Sequence, residues 1–163
     1  MQYTLSILVE NQAGVLSKIS GLFSRRGFNI DSLAVGVTAD PNVSRITIVA
    51  NGDEYVVEQL EKQLNKVIPV IKVKRLNDGE FISRELILIK VHCAPSKRAE
   101  IIKTAEIMQA KIVDAAPSCV TVEYCETSSR VKTLIDMLKP YGIREIVRTG
   151  TIAIDRGNSA VSV

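Results

Sequence analysis

The apolar pattern of this 163-residue chain occurs twice, and that repeat limits its fold more than any single motif. Tyr3, Leu5, Ile7 and Val9 alternate as one face of a strand. Leu8 breaks the polarity of the opposite face, a hint that this face is also partly covered. An amphipathic helix follows, with Val15, Leu16, Ile19, Leu22 and Phe23 on one stripe. Arg25 and Arg26 suit its C-terminal end, and Gly27 suits the position just past it. Strands come next at about Phe28–Thr38 and Val43–Ala50, joined by the turn Ala39-Asp40-Pro41-Asn42. Asn51-Gly52-Asp53 turns and caps a second helix carrying Val57, Leu60, Leu64 and Val67. Pro69 stops it ahead of a fourth strand, Val70–Leu76.

The order then recurs beyond the linker Asn77-Asp78-Gly79-Glu80. Glu85–Cys93 is a strand, and Ser96 is placed to cap a helix with Ile101, Ile102, Ala105 and Met108. Lys111–Ala115 and Cys119–Cys125 form a hairpin around Pro117-Ser118. Thr127 is placed to cap a helix with Val131, Leu134, Ile135 and Leu138, stopped by Pro140. Ile143–Ile154 reads as one long last strand. Matching elements lie about 83 residues apart at first and about 75 apart after the shorter hairpin. Each copy is βαββαβ, the ferredoxin-like split βαβ unit, so the expected class is α+β with two tandem antiparallel sheets. The expected domains are 1–77, a linker at 78–80, 81–155, and a loose tail at 156–163. Helices cover one face of each sheet, so the other face needs a partner surface.

Composition narrows the chemistry. Aromatic residues are 4% and Trp is absent, so the cores are built from Ile, Val and Leu. A net charge of +3 is too weak to argue for nucleic acid. The third strand, Ser44-Arg45-Ile46-Thr47-Ile48-Val49, has no aromatic residue on which a base could stack. Cys93, Cys119 and Cys125 have no CxxC spacing and read as reduced structural thiols. No apolar run reaches the length of a membrane span. His92 is the only histidine, so no histidine metal cluster forms within one chain. It shares a strand face with Lys90 and reads as a solvated or interface residue. No metalloprotease, nucleophile-elbow, P-loop or dinucleotide motif is present. Asn11–Val15 also lacks the arginine with which an acylphosphatase-type loop on this fold would cradle phosphate.

One segment carries groups that could bind a small anion. In Asn11–Leu33 a strand runs through the polar elbow Glu10-Asn11-Gln12-Ala13 into Gly14, which opens the first helix. Two readings of the elbow stand side by side. Asn11 caps the helix and Gly14 relieves a turn; or N–H groups near Gly14 and Val15 receive a carboxylate, with Asn11 on the ligand's polar end. Asn29, after Gly27, is either an ordinary strand entry or a second amide facing the same crevice, from this chain or a partner. The second copy has Ala94-Pro95-Ser96-Lys97 at the matching place, with neither glycine nor amide.

The run Glu10–Leu16, then Gly21–Ser24, Arg26–Ile30, Ser32-Leu33, Asp40-Pro41 and Ser44-Arg45, resembles the regulatory (small) subunits of acetolactate synthase. Weaker blocks continue the resemblance at Arg84-Glu85-Leu86, Ile112-Val113-Asp114 and Arg148-Thr149-Gly150. The resemblance implies that the first copy is an ACT domain, an amino-acid-binding ferredoxin-like module that pairs in homodimers. It implies a subunit that is not catalytic, binds and activates a large catalytic subunit, and confers feedback inhibition by valine in branched-chain amino-acid biosynthesis. The valine site it implies comprises Asn11, Gly14 and Asn29, with backbone at Val15 and Ile30. Thiamine diphosphate, Mg and FAD are expected in the catalytic subunit and no cofactor in this one. No nucleic acid or membrane partner is expected. The implied location is the cytoplasm, or the plastid stroma for a plastid-encoded chain. Gly36 stands where many members have Ala, and Gln12 varies in the family. An activator without feedback, and an ACT-domain sensor for another enzyme, are the alternative readings.

Overall fold

The computed structural model describes all 163 residues. The chain divides into two compact units, Met1–Ile82 with Thr151–Val163, and Ser83–Gly150. Each unit carries a ferredoxin-like antiparallel sheet, in the α+β architecture that the repeat predicts.

The first unit contains β1 (Gln2–Glu10), α1 (Val15–Arg25), β2 (Asn29–Val37), β3 (Val43–Asn51), α2 (Glu54–Leu64) and β4 (Val70–Leu76). The sheet order is β2-β3-β1-β4. Period-2 alternation sends Tyr3, Leu5, Ile7 and Val9 to the helix side, beside Ile46, Ile48 and Ala50 of β3. Ile19 and Phe23 of α1 and Val57, Leu60 and Leu64 of α2 close this core. Phe23 and Phe28 meet edge to face, ring centroids 6.2 Å apart, where α1 hands over to β2. Gly27 has φ +70 just past α1, a backbone geometry that other residues adopt only at a cost. Asp53 caps α2 as expected, accepting from the Val56 N–H at 3.0 Å. The α2 helix ends at Leu64, so Val67 lies outside it.

The second unit repeats the plan with β5 (Phe81–His92, its first two residues in the first unit), α3 (Arg98–Met108), β6 (Lys111–Ala115), β7 (Cys119–Glu126), α4 (Ser128–Leu138) and β8 (Ile143–Arg148). Its order, β6-β7-β5-β8, is that of the first sheet. Ile87, Ile89 and Val91 pack with Val120, Val122 and Tyr124 under Ile101, Met108, Val131, Leu134 and Leu138. Two expected caps differ. Pro95–Lys97 forms a 3-10 turn, so α3 starts at Arg98 and Ser96 does not cap it. Thr127 holds the N-cap position of α4 without a side-chain cap bond.

The end of the chain departs most from expectation. The long last strand breaks at Thr149-Gly150-Thr151, with Gly150 at φ +84, and resumes as β9 (Ile152–Asp155), which pairs with β5. Residues 156–163 are not a loose tail. Arg45 donates to the Val161 carbonyl at 2.8 Å, and Lys72 to that of Ser162 at 3.1 Å. Lys74 pairs with Asp155 at 2.7 Å and donates to Ser159 at 3.0 Å. Val161 is buried with Leu8 and Val43. These partners all lie on the sheet face away from the helices, where Ser6, Thr47, Val49 and Leu76 are also buried. The chain's own end therefore covers the face expected to be open in the first unit. Leu8 is apolar because that face is covered.

Candidate functional site

The elbow after β1 is fastened to its neighbours by main chain. Glu10 N–H donates to the Pro69 carbonyl and Asn11 N–H to that of Asn42, both at 2.8 Å. Asn11 Nδ2 donates to the Pro41 carbonyl at 3.0 Å. Asn11 is thus not the helix cap; its amide spans the mouth of the β2–β3 turn, leaving its carbonyl oxygen as an acceptor. The N-cap of α1 is Gly14, in the left-handed region at φ 86 and ψ −9. No side chain caps the first turn and no acidic residue stands in it. Its N–H groups and the positive end of the helix dipole are therefore uncompensated by the chain itself. Val15, the first helical residue, is buried against the core and fixes the direction in which that turn points. By contrast α2 carries its own anions, Asp53 at the cap and Glu54 in the first turn.

Asn29 opens β2 at the other end of the sheet. It pairs with Asn51, which pairs with Gln2, whereas the elbow continues from Glu10, which pairs with Val43. The eight steps from Gln2 to Glu10 correspond to about 27 Å of antiparallel strand. Asn11, Gly14 and Val15 therefore stand together, and Asn29 and Ile30 stand together, but one chain does not unite the two groups.

Residue Asp31, not anticipated from the sequence, joins the second group. It occupies a bulge between Ile30 and Ser32. Its carboxylate accepts from Asn29 Nδ2 at 3.2 Å, from Gln2 Nε2 at 3.5 Å and from the Asn51 amide. Its sequence signal was the lone acid two residues after Asn29, which strand alternation alone would have placed on the same face. One group thus offers uncompensated N–H donors and the other offers a carboxylate set among amides. Together they match the two charges of an amino acid.

The matching elbow of the second unit is different. A cleft of about 330 Å³ is lined by His92, Ala94, Lys97, Glu100, Pro140 and Tyr141. Its charges satisfy each other: Lys97 pairs with Glu100 at 3.2 Å, and Tyr141 Oη donates to Glu100 at 3.0 Å. Those two hydrogen bonds hold the Glu100 carboxyl below its ordinary range. His92 is exposed, with Nδ1 3.0 Å from an Arg144 nitrogen. No group of three His, Cys, Asp or Glu residues could hold a metal ion, and no helix is long and apolar enough to cross a membrane.

Comparison with known proteins covers both units. A family model described as the AHAS small subunit-like ACT domain matches residues 5–72, and one described as the small subunit of acetolactate synthase matches residues 84–157. A probable acetolactate synthase small subunit of Archaeoglobus fulgidus is 48% identical over 158 residues, 97% of this chain and 99% of the relative. The acetolactate synthase small subunit of Haemophilus influenzae is 44% identical over 162 residues, 99% of each chain. The crystal structure of the small subunit from Thermotoga maritima aligns with a TM-score of 0.88 at 37% identity, covering 98% of this chain and 99% of that one.

Proposed function

Given that the chain belongs to the acetolactate synthase small-subunit family and is a regulatory subunit, we propose that it senses valine at a site shared by two copies. On this reading it also binds and activates a large catalytic subunit, and valine opposes that activation.

The observation that carries the reading is the split site. Asn11, Gly14 and Val15 form the carboxylate end, through an uncapped helix N-terminus. Asn29, Ile30 and Asp31 form the other end about 27 Å away in the same chain. The strand between them and solvent, β2, is the edge of its sheet. Antiparallel pairing of two β2 edges would bring the Asn29 end of one copy toward the elbow end of the other, completing two equivalent sites. Val35 and Val37 stand 51% and 59% exposed on this strand, the apolar surface such a contact would bury.

Regulation then follows from linkage. Valine favours one arrangement of the dimer and the catalytic subunit another, and coupling of about 1–3 kcal/mol changes affinity by about 5–150-fold. The thiamine-diphosphate chemistry belongs to the partner; this chain supplies the sensor. The test is calorimetry of the purified chain with valine, followed by valine inhibition of the complex with its large subunit. Saturable heat and inhibition in the complex are expected. Absence of heat at millimolar valine, with the fold intact, would remove the sensing role and leave an activator.

A further inference from the structure

We propose that 156–163, the end of a strap that begins at Thr151, is detachable and that its seating on the first sheet is coupled to occupancy of the amino-acid site, with Ser32 as the positioning residue that links them. This rests on the sensing reading above.

The strap begins beside one half of the site and ends beside the other. Thr151 N–H donates to Ser32 Oγ at 2.6 Å, and Ser32 follows Asp31, the bulged carboxylate beside Asn29. At its far end Val161 packs on Val43 and Leu8. Val43 pairs with Glu10, the residue before Asn11, and Asn11 N–H donates to Asn42, the residue before Val43. A ligand that changes either half of the site therefore acts on a strand that anchors the strap.

The seat is built to release. Beyond β9, whose Ala153 is buried and which pairs with β5, the strap's only buried apolar residue is Val161, clustered with Leu8 and Val43. The other ties are polar: Arg45 and Lys72 to main-chain carbonyls, and Lys74 to Asp155 and Ser159. Beneath it, Ser6 Oγ and Arg45 Nε are buried without a hydrogen-bond partner, which weakens the seated state relative to a fully paired one. The 156–163 stretch, held by that one apolar anchor, opens locally at lower cost than the core strands it covers. The anchors at 159–162 lie beyond residues 84–157 matched by the family model.

Hydrogen exchange of the full chain, read by mass spectrometry with and without saturating valine, tests this, with heat of valine binding measured on the same samples. Amides of 156–163 should exchange at least tenfold faster than those of β1 and β3, and valine should slow them at least threefold. Ser32→Ala should abolish the slowing while the heat remains. Val161→Asp should speed exchange over 158–163 and leave β5 to β8 unchanged. Amides of 156–163 as protected as those of β1 would overturn detachment. Heat without any change in strap exchange, or an unaltered response in Ser32→Ala, would overturn the coupling alone. No heat would remove the sensing reading and the coupling with it.

Discussion

Asn11 and Asn29, eighteen positions apart in sequence, stand at opposite ends of one four-stranded sheet. The helix between them carries the chain from one end to the other, and each residue's crevice lacks the other's groups. On the proposed reading a complete site therefore takes two chains, which makes the site's ownership testable.

Two binding-deficient variants should complement each other. Asn11→Ala and Asn29→His chains should each lose valine heat when alone. Mixed and allowed to exchange, half the dimers are mixed, and one of the two crevices in each is intact, restoring about a quarter of the sites. No recovery after confirmed exchange would place both residues of each site in one chain.

Glycine-to-alanine changes at two positions should have opposite effects. A Cβ at Gly14 meets nothing within 4 Å, but the residue sits at φ +86. Gly14→Ala should cost about 1 kcal/mol through the left-handed backbone alone and reduce valine heat. A Cβ at Gly36 also meets nothing, and its backbone is in a strand. Gly36→Ala should stabilise by about 0.5 kcal/mol. Thermal melts of the two variants, compared with the parent chain, distinguish the cases.

Removing Arg148 should expose the weakness of a buried carboxylate. The Glu85 side chain is 2% exposed, and Arg148 grips it through Nε at 3.3 Å and through its terminal nitrogen. Arg148→Met should cost about 3 kcal/mol, near the low end for breaking a buried pair because Arg148 itself is half exposed. Adding Glu85→Leu should recover most of that loss. Denaturant midpoints would show it, and a loss below about 0.5 kcal/mol would mean that water reaches Glu85.

The Glu61 carboxyl sets one pH dependence. Burial raises its pKa, Arg75 opposes, and Glu58 and Glu54 add to the rise. Its Oε1 has no hydrogen-bond partner. The folded state holds this proton more tightly than the unfolded chain. Stability therefore falls as pH rises from the ordinary value of 4.5 through the raised folded value. Glu61→Gln should raise Tm at pH 7, and its advantage should shrink as pH approaches 4. An equal gain at both pH values would assign the effect to packing.

The sheets, helices and repeat were legible because each rests on local periodicity. Val57, Leu60 and Leu64 mark a helix face, and Asp53 accepts its own helix's N–H three residues on. Such contacts join residues a turn apart, so sequence spacing encodes them directly. Ser96 misled for the same local reason: a good capping residue was overridden by Pro95, which opens a 3-10 turn. Asp31 was missed because its partners Gln2 and Asn51 come from other strands, which only the sheet register brings beside it.

By itself, the sequence determined two βαββαβ units, their helix-side cores, and a glycine-opened helix without a capping anion. Only the tertiary structure decided that the two halves of the candidate site are separated, and that Thr151–Val163 covers the first sheet. Both depend on antiparallel register and on contacts such as Arg45 to the Val161 carbonyl, 116 positions apart. The acceptor there is main chain, which every residue carries, so no side-chain pattern in the last thirteen residues could announce it.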